Sequence, residues 1–202
     1  VNRNVFKFIF ISMFNYFKKS KVMGKISMNS KDIIQLRDNI CKTKSKYWKI
    51  IKSENVMTKK AKKAGMGSGF DLFVLYNQIT QLSDKLIKVK LMLNAINNGI
   101  KTFNFEEAKK THYYTIYKAC EQKELYVKWD DILKHSTLNP ATKSKLGKAN
   151  SKIETFTAAK ITSIKKKLQL EINKLDSEIQ KFNDETTLEI EEDNDIKTLI
   201  AA

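Results

Sequence analysis

Metal binding or nucleophilic attack would have to come from two histidines, His112 and His135, and two cysteines, Cys41 and Cys120. A helical zinc pair needs its histidines one turn apart, and a structural zinc site needs cysteine doublets. The chain has neither, so no metal is expected and each histidine reads as a surface or packed side chain. Cys41 and Cys120 stand in different helical segments without redox or metal spacing; they read as small buried hydrophobes in a reducing compartment. Glu106-Glu107 and Asp130-Asp131 are carboxylate pairs of the kind used in acid–base catalysis, but helix capping, dipole complementation and solvated faces account for them. Gly65, Gly67 and Gly69 lack the Walker spacing and a preceding strand, and no serine elbow or Cys/His pair is present. The expectation is a protein that is not an enzyme, with no cofactor and no small-molecule substrate in evidence.

The charge distribution suggests another kind of chemistry. Of 202 residues, 38 are Lys or Arg and 22 are Asp or Glu, a formal net charge of +16. Residues 1 to 68 hold 17 bases and 3 acids, residues 69 to 137 hold 10 and 8, and residues 138 to 202 hold 11 and 11. The basic excess therefore lives in the first third, and basicity of this kind suits phosphate, on nucleic acid or an anionic membrane surface. Lys42, Lys44, Lys46, Lys49, Lys52, Lys59, Lys60, Lys62 and Lys63 are the candidate phosphate-binding residues, with Tyr47 and Trp48 as stacking partners. Only Arg3 and Arg37 could make bidentate contacts to bases, so any nucleic-acid binding is expected to be sequence-nonspecific. A solvated face is the plainer account, because the lysine, asparagine and isoleucine bias suits an A/T-rich genome, whether cellular, viral or phage. Seven acids and no base lie between Asp184 and Asp195, an acidic tail over residues 184–202 that could fold back on the basic end.

Helices must position whatever these residues do. One proline and six glycines are too few for the turns of a β-sandwich, and 42% hydrophobic residues are too many for a disordered chain. The fold class expected is all-α: antiparallel helical hairpins in a bundle, with coiled-coil segments. Ser30 caps a helix carrying Ile33, Leu36, Ile40, Tyr47 and Ile51 on one stripe. A glycine-rich linker near residues 64–69 follows, and Ser68 with Asp71 forms a capping box. From there Leu72, Leu75, Ile79, Leu82, Leu86, Val89, Leu93 and Ile96 alternate spacings of three and four, the seam of a left-handed coiled coil, ended by Asn97-Asn98-Gly99. Asn104 opens a helix running to His135, with Phe105, Ala108, Ile116, Ala119 or Cys120, Leu125 and Ile132 inward; its tyrosines and Trp129 are expected to pack rather than to stack bases. Asn139-Pro140 restarts a helix, and a stripe from Ile153 and Phe156 through Ile161, Ile164, Leu168, Ile172, Leu175, Ile179 and Phe182 is the natural mate of the 72–97 helix.

Residues 1–29 form an extension of uncertain standing. Val5 to Phe17 is the most apolar stretch, yet it contains Lys7 and Asn15 and is shorter than the roughly 20 residues that span a bilayer. Lysines follow where a signal-peptide cleavage site would stand. The stretch reads either as read-through ahead of Met23 or Met28, or as a segment that lies on a membrane interface through residues 5–17. The chain is expected to be soluble and cytoplasmic.

The segments KDIIQLRDNICK (Lys31 to Lys42), LSDKLIKVKLMLNAINNG (Leu82 to Gly99) leading into FEEA (Phe105 to Ala108), and KLDSEIQKFNDETTL (Lys174 to Leu188) together resemble an uncharacterised bacterial family of short helical proteins, often labelled septicolysin-like. The resemblance covers less than a third of the chain and implies a helical-hairpin fold with no established activity. After FEEA the family continues with leucine and an arginine-rich turn, where this chain has Lys109, Lys110, Thr111, His112 and Tyr113, and Asp184 stands where the family has tryptophan.

The functional expectation is a helical interaction or structural protein over residues 30–183. It would self-associate, or bind another helical protein, through a helix interface of the 72–96 seam residues with Ile164, Leu168, Leu175 and Ile179. The alternative is nucleic-acid binding through the basic third.

Overall fold

A computed structural model describes residues 26–58, 69–137 and 152–187. The Phe-rich stretch at 5–17, most of the glycine linker, Ser68, the Asn139-Pro140 cap and the tail beyond Thr187 lie outside the described residues. Along the chain come α1 (Ser30–Glu54), β1 (Val56–Thr58), α2 (Leu72–Asn97), α3 (Phe105–Ala108), α4 (His112–Thr137), β2 (Lys152–Glu154) and α5 (Ala158–Glu185). The fold is an all-α bundle of hairpins. To it is added a short antiparallel ribbon that the sequence does not announce, β1 on β2, with Val56 opposite Glu154 and Thr58 opposite Lys152.

Helix ends follow capping chemistry, with local corrections. Asn29, not Ser30, caps α1: its side chain accepts from the Asp32 N–H while the Asp32 carboxylate accepts from the Asn29 N–H, a reciprocal capping box. Asp71 is itself the cap of α2, accepting from the N–H groups of Phe73 and Val74. Gly99, at φ 71°, ends α2 in the left-handed conformation that the Asn-Asn-Gly sequence foretells. The helix expected from Asn104 to His135 is broken into α3 and α4. At the break the Thr111 hydroxyl donates to the Ala108 carbonyl, and this side chain competes with the helical ladder. Ile153 falls in β2 and Phe156 in the turn before α5, which Thr157 caps, so the last helix starts later than its apolar stripe suggests.

The first hairpin is α1 on α2. Trp48 meets Tyr76 toward one end, while Ile33 and Ile40 meet Leu86 and Val89 toward the other, so the two helices run antiparallel. The second hairpin is α4 on α5, also antiparallel: Asp130 binds Lys165 and, at the opposite end, His112 stacks on Phe182. Contact between α2 and α4 joins the hairpins. Sequence spacing pairs the 72–97 helix with the last helix; instead α2 packs chiefly on α1, and α5 chiefly on α4. The reason is that α2 is apolar on two sides. Leu72, Leu75, Ile79, Leu86 and Val89 are buried along the expected seam, and Ile87, Leu91 and Ala95 are buried on a second stripe.

The main core gathers where the hairpins meet: Tyr47, Trp48 and Ile51 of α1; Leu72, Leu75 and Ile79 of α2; Leu125, Trp129 and Ile132 of α4; Phe156; and Ile161 and Leu168 of α5. A smaller cluster, Ile33, Ile40, Leu86 and Val89, serves the first hairpin alone. Buried Asn55 ties the ribbon to this core, donating to the Phe156 carbonyl at 3.0 Å and accepting from the Phe156 N–H at 2.7 Å. The two cysteines are both exposed free thiols, not the buried hydrophobes expected of them. Their helices turn other residues inward: Ile40 and Lys44 flank Cys41, and Ala119 and Glu121 flank Cys120.

Candidate functional site

The candidate lysines of α1 divide into two sets. Between Asp38 and Glu54 the helix holds five lysines and no acid. Lys42, Lys46 and Lys49 are exposed, at spacings of four and three that put them on one outer stripe. At 1.5 Å per residue they span roughly 10 Å along the helix, a distance over which a nucleic-acid strand presents several phosphates. Lys44 and Lys52 belong elsewhere. Lys44 is 2% exposed and its Nζ lies 2.5 Å from Glu121 and 3.0 Å from Glu124; Lys52 pairs with Asp131 at 2.8 Å. Lys44 is therefore closed off from an outside phosphate, while Lys52 is engaged by Asp131 at the surface. Tyr47 and Trp48 are buried in the main core, so they cannot stack on bases beside the lysine stripe. Lys59, Lys60, Lys62 and Lys63 lie outside the described residues.

Lys44 is one member of a charged layer that crosses the bundle. Glu121 of α4, 2% exposed, accepts from Lys44 of α1 on one oxygen and from Lys90 of α2 on the other, at 2.9 Å. Burial pushes the Glu121 carboxyl up, but the hydrogen bonds and charges of Lys44 and Lys90 outweigh it and hold the group below its ordinary range. Three helices are thereby locked in register, because each lysine must reach the same buried carboxylate. The layer was partly visible in the sequence. Lys44 falls on the stripe Ile40, Lys44, Tyr47, Ile51, and Glu121 falls one turn before Leu125, both inward positions.

A second set of ion pairs fastens α5 to α4. Lys118 meets Glu171 at 2.5 Å and Lys123 meets Asp176 at 2.8 Å. Asp130 accepts from Lys134 at 2.7 Å and also from Lys165. Hydrogen bonds from Lys134 and Lys165 hold the Asp130 carboxyl at about 2, against an ordinary 3.8. A carboxyl depressed on folding stabilises fully above its unfolded value and loses that contribution as pH falls through its folded value. The thermal midpoint of the wild-type protein is therefore expected to fall between about pH 4 and pH 2. Asp130→Asn should flatten the part of that fall it owns, as followed by circular dichroism; an unchanged profile would mean that the pairing is not made.

No family model matches this chain, and no curated protein or solved structure matches it significantly.

The expected helix-interface residues are accounted for inside the fold. Leu72, Leu75, Ile79, Leu86 and Val89 are buried, and Leu82, Leu93 and Ile96 are half-buried against the two cores. On α5, Leu168 and Leu175 are buried, while Ile164 and Ile179 are half-buried. Among the described residues no group of three His, Cys, Asp or Glu side chains is placed to hold a metal ion, and no helix is long and apolar enough to cross a membrane.

Proposed function

We propose that this is a non-enzymatic, intracellular helical interaction protein that holds a polyanion, foremost a nucleic-acid backbone, against the outer face of α1. The observation that carries the reading is a contrast. The apolar seams are turned inward onto the chain's own helices, while Lys42, Lys46 and Lys49 stand together on the solvent side of a helix stretch that contains no acid. With Tyr47 and Trp48 in the core, the stripe has its neighbouring aromatic rings pointing away from it, so recognition is of phosphate spacing and not of bases. Single-stranded and duplex nucleic acid should then both bind, with affinity set by salt. Exposed free thiols at Cys41 and Cys120 suit a reducing compartment. The resemblance to septicolysin-like proteins belongs to this proposal as support for a hairpin bundle without catalysis.

The test is size exclusion with light scattering, recording absorbance at 260 and 280 nm at low and high salt. Nucleic acid that co-elutes and is stripped by salt supports the reading. A defined oligomer free of nucleic acid favours self-association, the competing interpretation.

A further inference from the structure

We infer that the first half of α1, residues 30–43, opens from α2 as a unit of its own, and that a polyanion bound across Lys42 and Lys49 holds it closed. The second part rests on the polyanion reading; the first does not.

The two halves of α1 are fastened in different ways. From Lys44 onward the helix is tied to other elements by polar bonds and by the main core. Lys44 reaches Glu121 and Glu124, Lys52 reaches Asp131, and Asn55 at the helix end is bonded to Phe156. Tyr47, Trp48 and Ile51 pack among residues of α2, α4 and α5. The first half is held otherwise. Among the described residues, each side-chain hydrogen bond and ion pair made by residues 29–43 stays inside that stretch: Asn29 with Asp32, Arg37 with Asp38, and Thr43 with the Asn39 carbonyl. What seats it is apolar contact with α2. Of its fourteen residues only Ile33 and Ile40 are buried, in the small cluster with Leu86 and Val89, and Leu36 packs half-buried beside them.

Detachment leaves the rest of the bundle closed. Lys90 of α2 stays bonded to Glu121 at 2.9 Å, and Ile87, Leu91 and Ala95 stay buried on the stripe of α2 turned away from α1. Lys44, held by Glu121 and Glu124, marks where the opening stops. A detached helix of this length is marginal in water, so the stretch loses its helix as it leaves α2. The reciprocal cap of Asn29 and Asp32 opposes loss of one residue at a time from the start, which favours opening in a single step.

Lys42 lies on the moving side of that boundary and Lys49 on the fixed side, about 10 Å apart along one exposed stripe. A polyanion engages both only while the stretch is helical and seated, so binding and closure favour each other. Closure in turn covers Leu86 and Val89, and the polyanion thereby governs whether an apolar face of α2 meets solvent.

Amide hydrogen exchange of the full chain, read residue by residue, is the test. Amides of residues 36–43 are expected to exchange faster than those of residues 48–52 by about tenfold or more, at one common rate with a step at Lys44. Ile40→Ala is expected to raise the rate of the first set by about tenfold and to leave the second unchanged. A smooth gradient along the helix, a single rate for both sets, or an Ile40→Ala effect of equal size on both would each overturn the opening unit. A saturating oligothymidine of about twenty residues at low salt is expected to slow the first set several-fold in the wild type and not in Lys42→Gln. Binding of the oligomer without that slowing overturns the lock and leaves the polyanion reading standing. No binding overturns the lock together with that reading, and the step at Lys44 still decides the opening.

Discussion

Glu121→Gln is expected to lower the free energy of unfolding by about 3 kcal/mol, the low end of the ~3–5 kcal/mol that follows from removing one partner of a buried ion pair. The substitution keeps the side chain's volume and leaves Lys44 in the interior facing a neutral amide. Lys44 retains Glu124 at 3.0 Å, and Glu124 is 41% exposed, which is why the loss should stay near the lower bound. Lys90 is 28% exposed and can extend its ammonium into water when its partner is lost. Replacing both central charges, Lys44→Met with Glu121→Leu, should restore wild-type stability or exceed it, because desolvating two ions costs about as much as their attraction returns. Urea unfolding checks both, through the midpoint at unchanged m-value. A Glu121→Gln midpoint equal to that of the wild type would show that the layer is not closed in solution. If the double variant stays folded but pairs its helices less uniquely, the layer's role is register and not strength.

Trp129→Ala should be at least as damaging, at about 3–5 kcal/mol. Trp129 is fully buried, and around it stand Trp48 at 5.3 Å, Tyr76 at 4.9 Å and Phe156 at 4.8 Å between ring centroids, mostly edge to face. Those three rings come from α1, α2 and the turn before α5, so one side chain is the meeting point of both hairpins. Truncation leaves a cavity that helices fixed by other contacts cannot collapse to fill. For a chain of this size the thermal midpoint is expected to drop by about 6–20 °C. Trp129→Phe retains a ring in the cluster and should cost much less. Equal melting of Trp129→Ala and the wild type would show that the hairpins do not share a core.

The sequence exposes the helices and hides their arrangement, for identifiable reasons. The alternation of Leu72, Leu75, Ile79, Leu86 and Val89 marks a buried stripe whatever covers it, and α1, not α5, provides most of the cover. Choosing between them needed the second stripe, Ile87, Leu91 and Ala95, which a search for one three-four seam passes over. The ribbon is three residues a side and pairs positions about a hundred residues apart, so local pattern carries no trace of it. In the basic third, charge alone does not separate the lysines of α1 from one another. Lys44 and Lys52 have partners on α4, and only the fold reveals that Glu121, Glu124 and Asp131 face them. The stacking role expected of Tyr47 and Trp48 failed for a related reason, since both fall on the inward stripe of the helix whose outward stripe is basic.

The most direct measurement is the affinity for oligothymidine as a function of salt, compared between the wild type and Lys42→Glu/Lys46→Glu/Lys49→Glu. All three positions are exposed, so folding should survive and circular dichroism can confirm it. The wild type should lose affinity steeply as salt rises, and the triple variant should bind at least tenfold more weakly, with a slope of log K against log salt shallower by about 2. Equal affinity and equal slope in a folded triple variant would contradict the account, placing any polyanion contact elsewhere and leaving the α1 stripe as a solvated face.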